Sequence, residues 1–79
     1  MNRASLVEYR ERIVWRIAES QKQLTRQEQL IARLQSEGRS TTEAETFLVL
    51  FQGIYDSHQN GLARIDRELA QRPLRGGRY

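Results

Sequence analysis

Apolar residues recur through the first half of the chain at helical spacing. Leu6, Ile13, Ile17, Leu24, Ile31 and Leu34 are separated by three, four or seven positions, which puts them on one face of a helix. No Gly or Pro interrupts residues 1–37, and the first glycine is Gly38. With Ile17, Leu24 and Ile31 at heptad position a, Leu6, Ile13, Ser20, Gln27 and Leu34 fall at d. The seam is therefore apolar at both ends and polar in its middle, while the opposite face is rich in Gln and charge, as on a solvated coiled coil. A second pattern, Ala44, Leu48, Phe51, Tyr55, His58, Leu62, Ile65 and Leu69, alternates by four and three residues without a gap. Pro73 ends it, because a helix interior cannot hold Pro without losing a backbone bond. Gly53 and Gly61 lie off this seam and weaken the second helix by roughly 1 kcal/mol each relative to Ala. They read either as tolerated surface glycines or as points of close approach for another helix.

The stretch "LQSEGRSTTEAETFL" (34–48) separates the two patterns. Gly38 can take the left-handed conformation that closes a helix. Thr42 with Glu45 three residues on fits a capping box, and Glu43 and Glu45 put negative charge where the helix dipole favours it. A gap this short is typical of antiparallel neighbours. The spacing predicts helix 1 over about 3–37, a turn at 38–41 and helix 2 over about 42–71. The fold class expected is all-α: an antiparallel two-helix coiled-coil hairpin spanning residues 1–71, followed by a basic tail at 72–79.

Folding the chain at that turn sets a register. Ile31 should meet Leu48, Leu24 should meet Tyr55, Ile17 should meet Leu62 and Ile13 should meet Ile65. Ser20 should face His58, and Gln27 should lie near Phe51 and Tyr55, forming a polar layer that holds the register. Val14, Leu30, Phe47, Leu50 and Ile54 lie beside or beyond this seam and stay exposed in a lone hairpin. Such a flank favours association, most simply as a homodimer forming a four-helix bundle.

Composition supports that expectation. Seventy-nine residues make one small domain, too small to be comfortable as a monomer without a staple. The chain has no Cys, which removes disulfides and thiolate metal sites and leaves oligomerisation. No apolar run exceeds "FLVLF" (47–51), far short of the roughly 20 residues a membrane span needs. The N-terminal residues lack the compact apolar segment of a secretory signal, and Glu8, Glu11 and Glu19 argue against a transit peptide. The expected location is cytoplasmic. The net charge of +3 comes from "RPLRGGRY" (72–79), where Arg72, Arg75 and Arg78 have no acid beside them, while ten bases balance ten acids in residues 1–71.

The run "RQEQLIARLQSEGRSTTEAETFLVLF" (26–51) resembles a class of short alphaproteobacterial helical-hairpin proteins of uncharacterised function. That class carries a core of the type "RQxxLIxxLxxxGxxTxEAexLLxxF". The resemblance implies a small cytoplasmic helical protein and no ligand or catalytic residue. Where the class tends to carry His or Asp after the Gly, this chain has Arg39 and Ser40.

Candidate chemistry is sparse. His58 is the one histidine, and Tyr55 occupies the position where a bundle metal site needs Glu. Ser20 opposite His58 has no evident oxyanion donors. No phosphate-binding Gly loop, zinc spacing or catalytic carboxylate pair occurs, so neither catalysis nor a cofactor is expected. Trp15 falls at heptad f with Glu11, Arg12 and Glu19 around it. It reads as an anchor for another protein, as a cation–π partner of Arg12, or as a contact to a second hairpin. "RGGR" (75–78) is the pattern of a flexible single-stranded nucleic-acid contact. The function expected is a self-associating interaction or adaptor module. The alternatives are a weak nucleic-acid binder using the Arg tail and an amphipathic protein on a membrane surface.

Overall fold

The computed structural model describes residues 2–71; the Arg tail at 72–79 lies outside the described residues. Two helices account for almost all of the rest: α1, Arg3–Ser36, and α2, Thr42–Ala70. They pack antiparallel along their lengths as an all-α hairpin. Asn2 caps α1, its Oδ1 accepting from the Ser5 amide at 2.8 Å, a capping interaction worth about 1 kcal/mol.

The reversal is built on Gly38. Its φ of 67° lies in the left-handed region, where a side chain is disfavoured. From there the Gly38 amide donates to Gln35 O at 3.1 Å and the Arg39 amide to Leu34 O at 2.9 Å. These two bonds make a Schellman closure, which satisfies carbonyls that the helix end leaves without partners. The start of α2 differs from the expected capping box. Thr41, not Thr42, is the capping residue, and its side chain makes no bond to a backbone amide. Instead the Thr41 hydroxyl donates to the Glu45 carboxylate, while the Thr41 carbonyl accepts the first helical bond from Glu45 N at 2.8 Å. The cap moved one residue upstream, so Glu45 sits four residues away rather than three and cannot close the reciprocal box.

Among the described residues the most deeply buried apolar side chains are few: Leu6, Ile13, Ala44 and Ile65. Leu6, Ile13 and Ile65 form one cluster at the open end of the hairpin, with Ile17, Leu62 and Leu69 packed against it. Ile13 and Ile65 thus share a cluster as expected. Elsewhere the pairing is slid by about one helical turn toward the α2 N-terminus. Gln27 lines a depression with its expected neighbour Phe51, but its Nε2 reaches further toward the α2 N-terminus and donates to Ala44 O at 2.9 Å. Ser20 lines a depression with Phe51 and Ile54 instead of facing His58. Both registers keep a and d residues in the seam, because a slide of one layer replaces each seam residue by the next. Heptad periodicity alone cannot choose between them; the turn and the polar contacts do.

Polar contacts at the open end pin the observed register. Arg10 Nε donates to Asp66 Oδ1 at 2.6 Å across the two helices. The hydrogen bond to Asp66 and its charge hold the Arg10 guanidinium above its usual pKa. Arg3 donates to Leu69 O at 3.3 Å, setting a cation at the C-terminal, negative end of the α2 dipole. Both partners of the Arg10–Asp66 pair are substantially exposed, so salt screens it.

Two outcomes follow. Gly38→Ala meets no steric neighbour, so it should destabilise the hairpin by the backbone term alone, about 1–2 kcal/mol, read as a lower midpoint in thermal and urea melts. Asp66→Asn should lower the melting temperature at low ionic strength, and the difference from wild type should shrink at 1 M NaCl.

Candidate functional site

An antiparallel pair of heptad helices has two flanks, one lined by the g positions of both helices and one by the e positions. Here the flanks differ in chemistry. The g positions of α1 are Tyr9, Arg16, Gln23 and Leu30, and those of α2 are Phe47, Ile54, Gly61 and Glu68. Leu50 and Ser57, at c, extend the same side of α2. Phe47, Leu50 and Ile54 are each about half exposed, and Phe47 stacks on Phe51 with ring centroids 6.2 Å apart. The e flank carries Val7, Val14, Gln21 and Glu28 on α1, with Glu45, Gln52, Gln59 and Asp66 on α2.

Val14 therefore stands across the seam from Leu30, Phe47, Leu50 and Ile54, and the expected apolar flank loses that member. Periodicity shows which residues leave the seam; the side on which they leave depends on whether they precede or follow it. The remaining members of the expected core, Leu24, Ile31, Leu34, Leu48, Phe51, Tyr55, Leu62 and Leu69, are all only partly buried.

The g flank is not flat. Near its middle, Glu19, Ser20, Gln23, Phe51 and Ile54 enclose a mostly apolar depression of about 250 Å³. A larger one of about 450 Å³ lies toward the turn, with Leu30, Leu34, Glu43 and Phe47 in its walls. Toward the open end the same flank sinks into a groove of about 570 Å³ between Tyr9, Ile13 and Arg16 of α1 and Gly53, Ser57 and Gly61 of α2. Both glycines border open space: a Cβ on Gly61 would make an ordinary contact 3.7 Å from Ile13 Cδ1, and one on Gly53 would meet nothing within 4 Å. Sequence reasoning recognised these glycines without seeing that they share a depression with Tyr9 and Arg16, because that requires the register between helices.

His58 also borders this groove, beside Arg16, Asp56 and Arg64. Asp56 accepts from Gln52 at 3.2 Å, and Gln59 donates to the Tyr55 hydroxyl at 2.8 Å. Among the described residues, no group of three or more His, Asp or Glu side chains is placed to hold a metal ion. None of the described helices is long and apolar enough to cross a membrane.

Trp15 stands on the outer face of α1, 65 % exposed. Glu19 is engaged by Lys22 at 3.2 Å, and no cation–π contact between Arg12 and Trp15 forms among the described residues. Val49, 71 % exposed, was not singled out from sequence because it belongs to neither seam nor flank.

No family model, curated protein or solved structure matches the chain.

The single Trp makes the outer face easy to monitor. Trp15 should emit as a solvent-exposed indole and quench readily with acrylamide. If contact runs through the g flank, its emission should stay unchanged on dilution from millimolar to nanomolar protein.

Proposed function

We propose that this protein is a small interaction module that associates with itself through the g flank, as a homodimeric four-helix bundle in the cytoplasm. The observation that carries this reading is the row Phe47, Leu50 and Ile54. Three large apolar side chains stand about half exposed on one side of a hairpin whose described seam nearly buries Leu6, Ile13, Ala44 and Ile65 and leaves the rest of its apolar residues partly exposed. A chain this short gains little from its own core, and covering the row adds about 25 cal/mol for each Å² removed from water. Phe51, shared between the seam and both apolar depressions, links the hairpin's packing to that of the dimer.

Trp15 serves a separate contact in this reading. It lies on the far face of α1, clear of the g flank, and a bundle formed there leaves it open to a protein outside the dimer. An exposed Trp with Glu11, Arg12 and Glu19 around it has the composition of an interface anchor: a large apolar surface with a polar rim. The adaptor role proposed here uses one surface for assembly and another for a partner. The resemblance of residues 26–51 to short bacterial hairpin proteins agrees with such a module, since the resembling positions specify the turn and seam rather than a reactive group.

The decisive measurement is sedimentation of wild type and Leu50→Glu at micromolar concentration. Wild type should sediment as a dimer. The variant places a carboxylate where the dimer would bury it without a partner, which costs several kcal/mol and should raise the dissociation constant by roughly 100-fold or more. Its circular dichroism should remain helical, because Leu50 lies outside the hairpin seam. A wild type that is monomeric at these concentrations overturns the reading.

A further inference from the structure

The groove at the open end holds a regular arrangement of donors, set by the antiparallel run of the two helices. Its floor is the contact between Ile13 and Gly61, where Gly61 contributes no side chain. Arg16 stands three residues after Ile13, and Arg64 three residues after Gly61. Helical side chains lean toward their own N-terminus, over the preceding turn. Because the helices run in opposite directions, Arg16 and Arg64 lean toward each other, onto the same level of the hairpin. Each starts only about 4.5 Å along its helix from that level, within an arginine's reach. Tyr9 and Ser57 stand four residues before the same two floor residues. Ser57 therefore comes level with Arg16 and Tyr9 with Arg64, and all four line the groove.

We propose that this groove is a binding site for a phosphoryl anion, held between the Arg16 and Arg64 guanidiniums with the Tyr9 and Ser57 hydroxyls as further donors. The inference goes beyond self-association. It leaves the dimer contact to the apolar row nearer the turn and keeps the open end of the flank clear for the ligand.

The charges around the groove support an anion. Neither Arg16 nor Arg64 takes part in an ion pair among the described residues, so both forks are left for a ligand. Asp56 is the acid that borders the groove. It sits at b, on the side of α2 turned away from the g flank, and its carboxylate accepts from Gln52 at e. Glu19 and Glu68, one turn to either side, do not border the groove, and Glu19 is taken by Lys22.

The placement of the donors selects the kind of anion. An arginine fork pairs bidentately with phosphate as well as with carboxylate. Here donors arrive from both walls and from both directions along the groove. A tetrahedral phosphoryl group offers oxygens on every side, whereas a carboxylate offers two on one edge. The hollow of about 570 Å³ is of the size that small ligands occupy, so it takes a chain of phosphoryl groups as well as one. A phosphorylated small molecule and the backbone of a single nucleic-acid strand share this chemistry.

Calorimetric titration of the full chain with inorganic tripolyphosphate and with a short oligothymidylate tests the site and separates the two sources. Wild type should bind at least one of these probes. A chain carrying both Arg16→Gln and Arg64→Gln should bind it more weakly by roughly tenfold or more, as expected for lost charged hydrogen bonds. Gly61→Gln puts a side chain on the groove floor and should weaken binding without changing charge. Its helical signal should be retained, because a Cβ there makes only an ordinary contact and Gln favours helix over Gly. Arg33→Gln removes the same charge from the last turn of α1, far from the groove, and should leave binding unchanged. Binding should also persist in a chain carrying Arg72→Gln, Arg75→Gln and Arg78→Gln. Groove-dependent binding of tripolyphosphate supports the site with a small phosphorylated ligand, and such binding of oligothymidylate alone supports it with a strand's backbone. The proposal is overturned if neither probe binds at millimolar concentration, if Arg33→Gln weakens binding as much as the groove variants do, or if binding vanishes with the tail arginines. Sedimentation of the same samples reads self-association separately, so failure of the site leaves that reading standing.

Discussion

Two helices meet along one line, so each can hide only the strip of side chains that faces the other. In this protein that constraint governs everything beyond the hairpin itself. The strip is shared with polar residues near its middle, where Ser20, Gln27 and His58 replace aliphatic side chains. Among the described residues the deepest burial falls to Leu6, Ile13 and Ile65 at the open end and to Ala44 near the turn. Side chains just off the line have nowhere to go within one chain, and the g flank is where they accumulate.

The register that distributes these residues is held by contacts with little to do with hydrophobic pattern. The Schellman closure at Gly38 aims the chain back along α1. Gln27 takes the Ala44 carbonyl near the turn, and Arg3 and Arg10 hold Leu69 and Asp66 at the other end. A polar side chain in a seam weakens packing but tolerates fewer alternatives. Gln27 has this character: moved by one layer, it would lose the carbonyl it now reaches. The flank's shape depends on that choice, because the groove exists only where Tyr9, Ile13 and Arg16 come level with Gly61.

Much of this was legible before the coordinates. The a and d spacing from Leu6 to Leu34 and from Ala44 to Leu69 implied two helices, and Gly38 marked the break between them. What was not legible had a physical reason in each case. The register slid because a heptad seam looks alike after moving by one layer. The cap shifted from Thr42 to Thr41 because adjacent threonines offer the same chemistry, and Asn2 lacked the Glu three residues on that signals a capping box. Val14 is the exception: its heptad position e already separates it in the sequence from Leu30, Phe47 and Ile54 at g. Gly53 and Gly61 were visible as weak points in a helix, and only the pairing of helices turned them into a hollow.

The contact between Arg3 and the Leu69 carbonyl has a mechanical consequence. It lies where the chain enters α1 and leaves α2, so both ends of the described chain emerge from the same tip. Tension applied between those ends peels the helices apart from Leu6 and Leu69 toward Gly38, loading one layer at a time. Tension applied along the rod, from turn to tip, runs down the helices themselves and leaves the seam between them unloaded. The same fold is thus a weak zipper along one line of force and a stiff strut along the other.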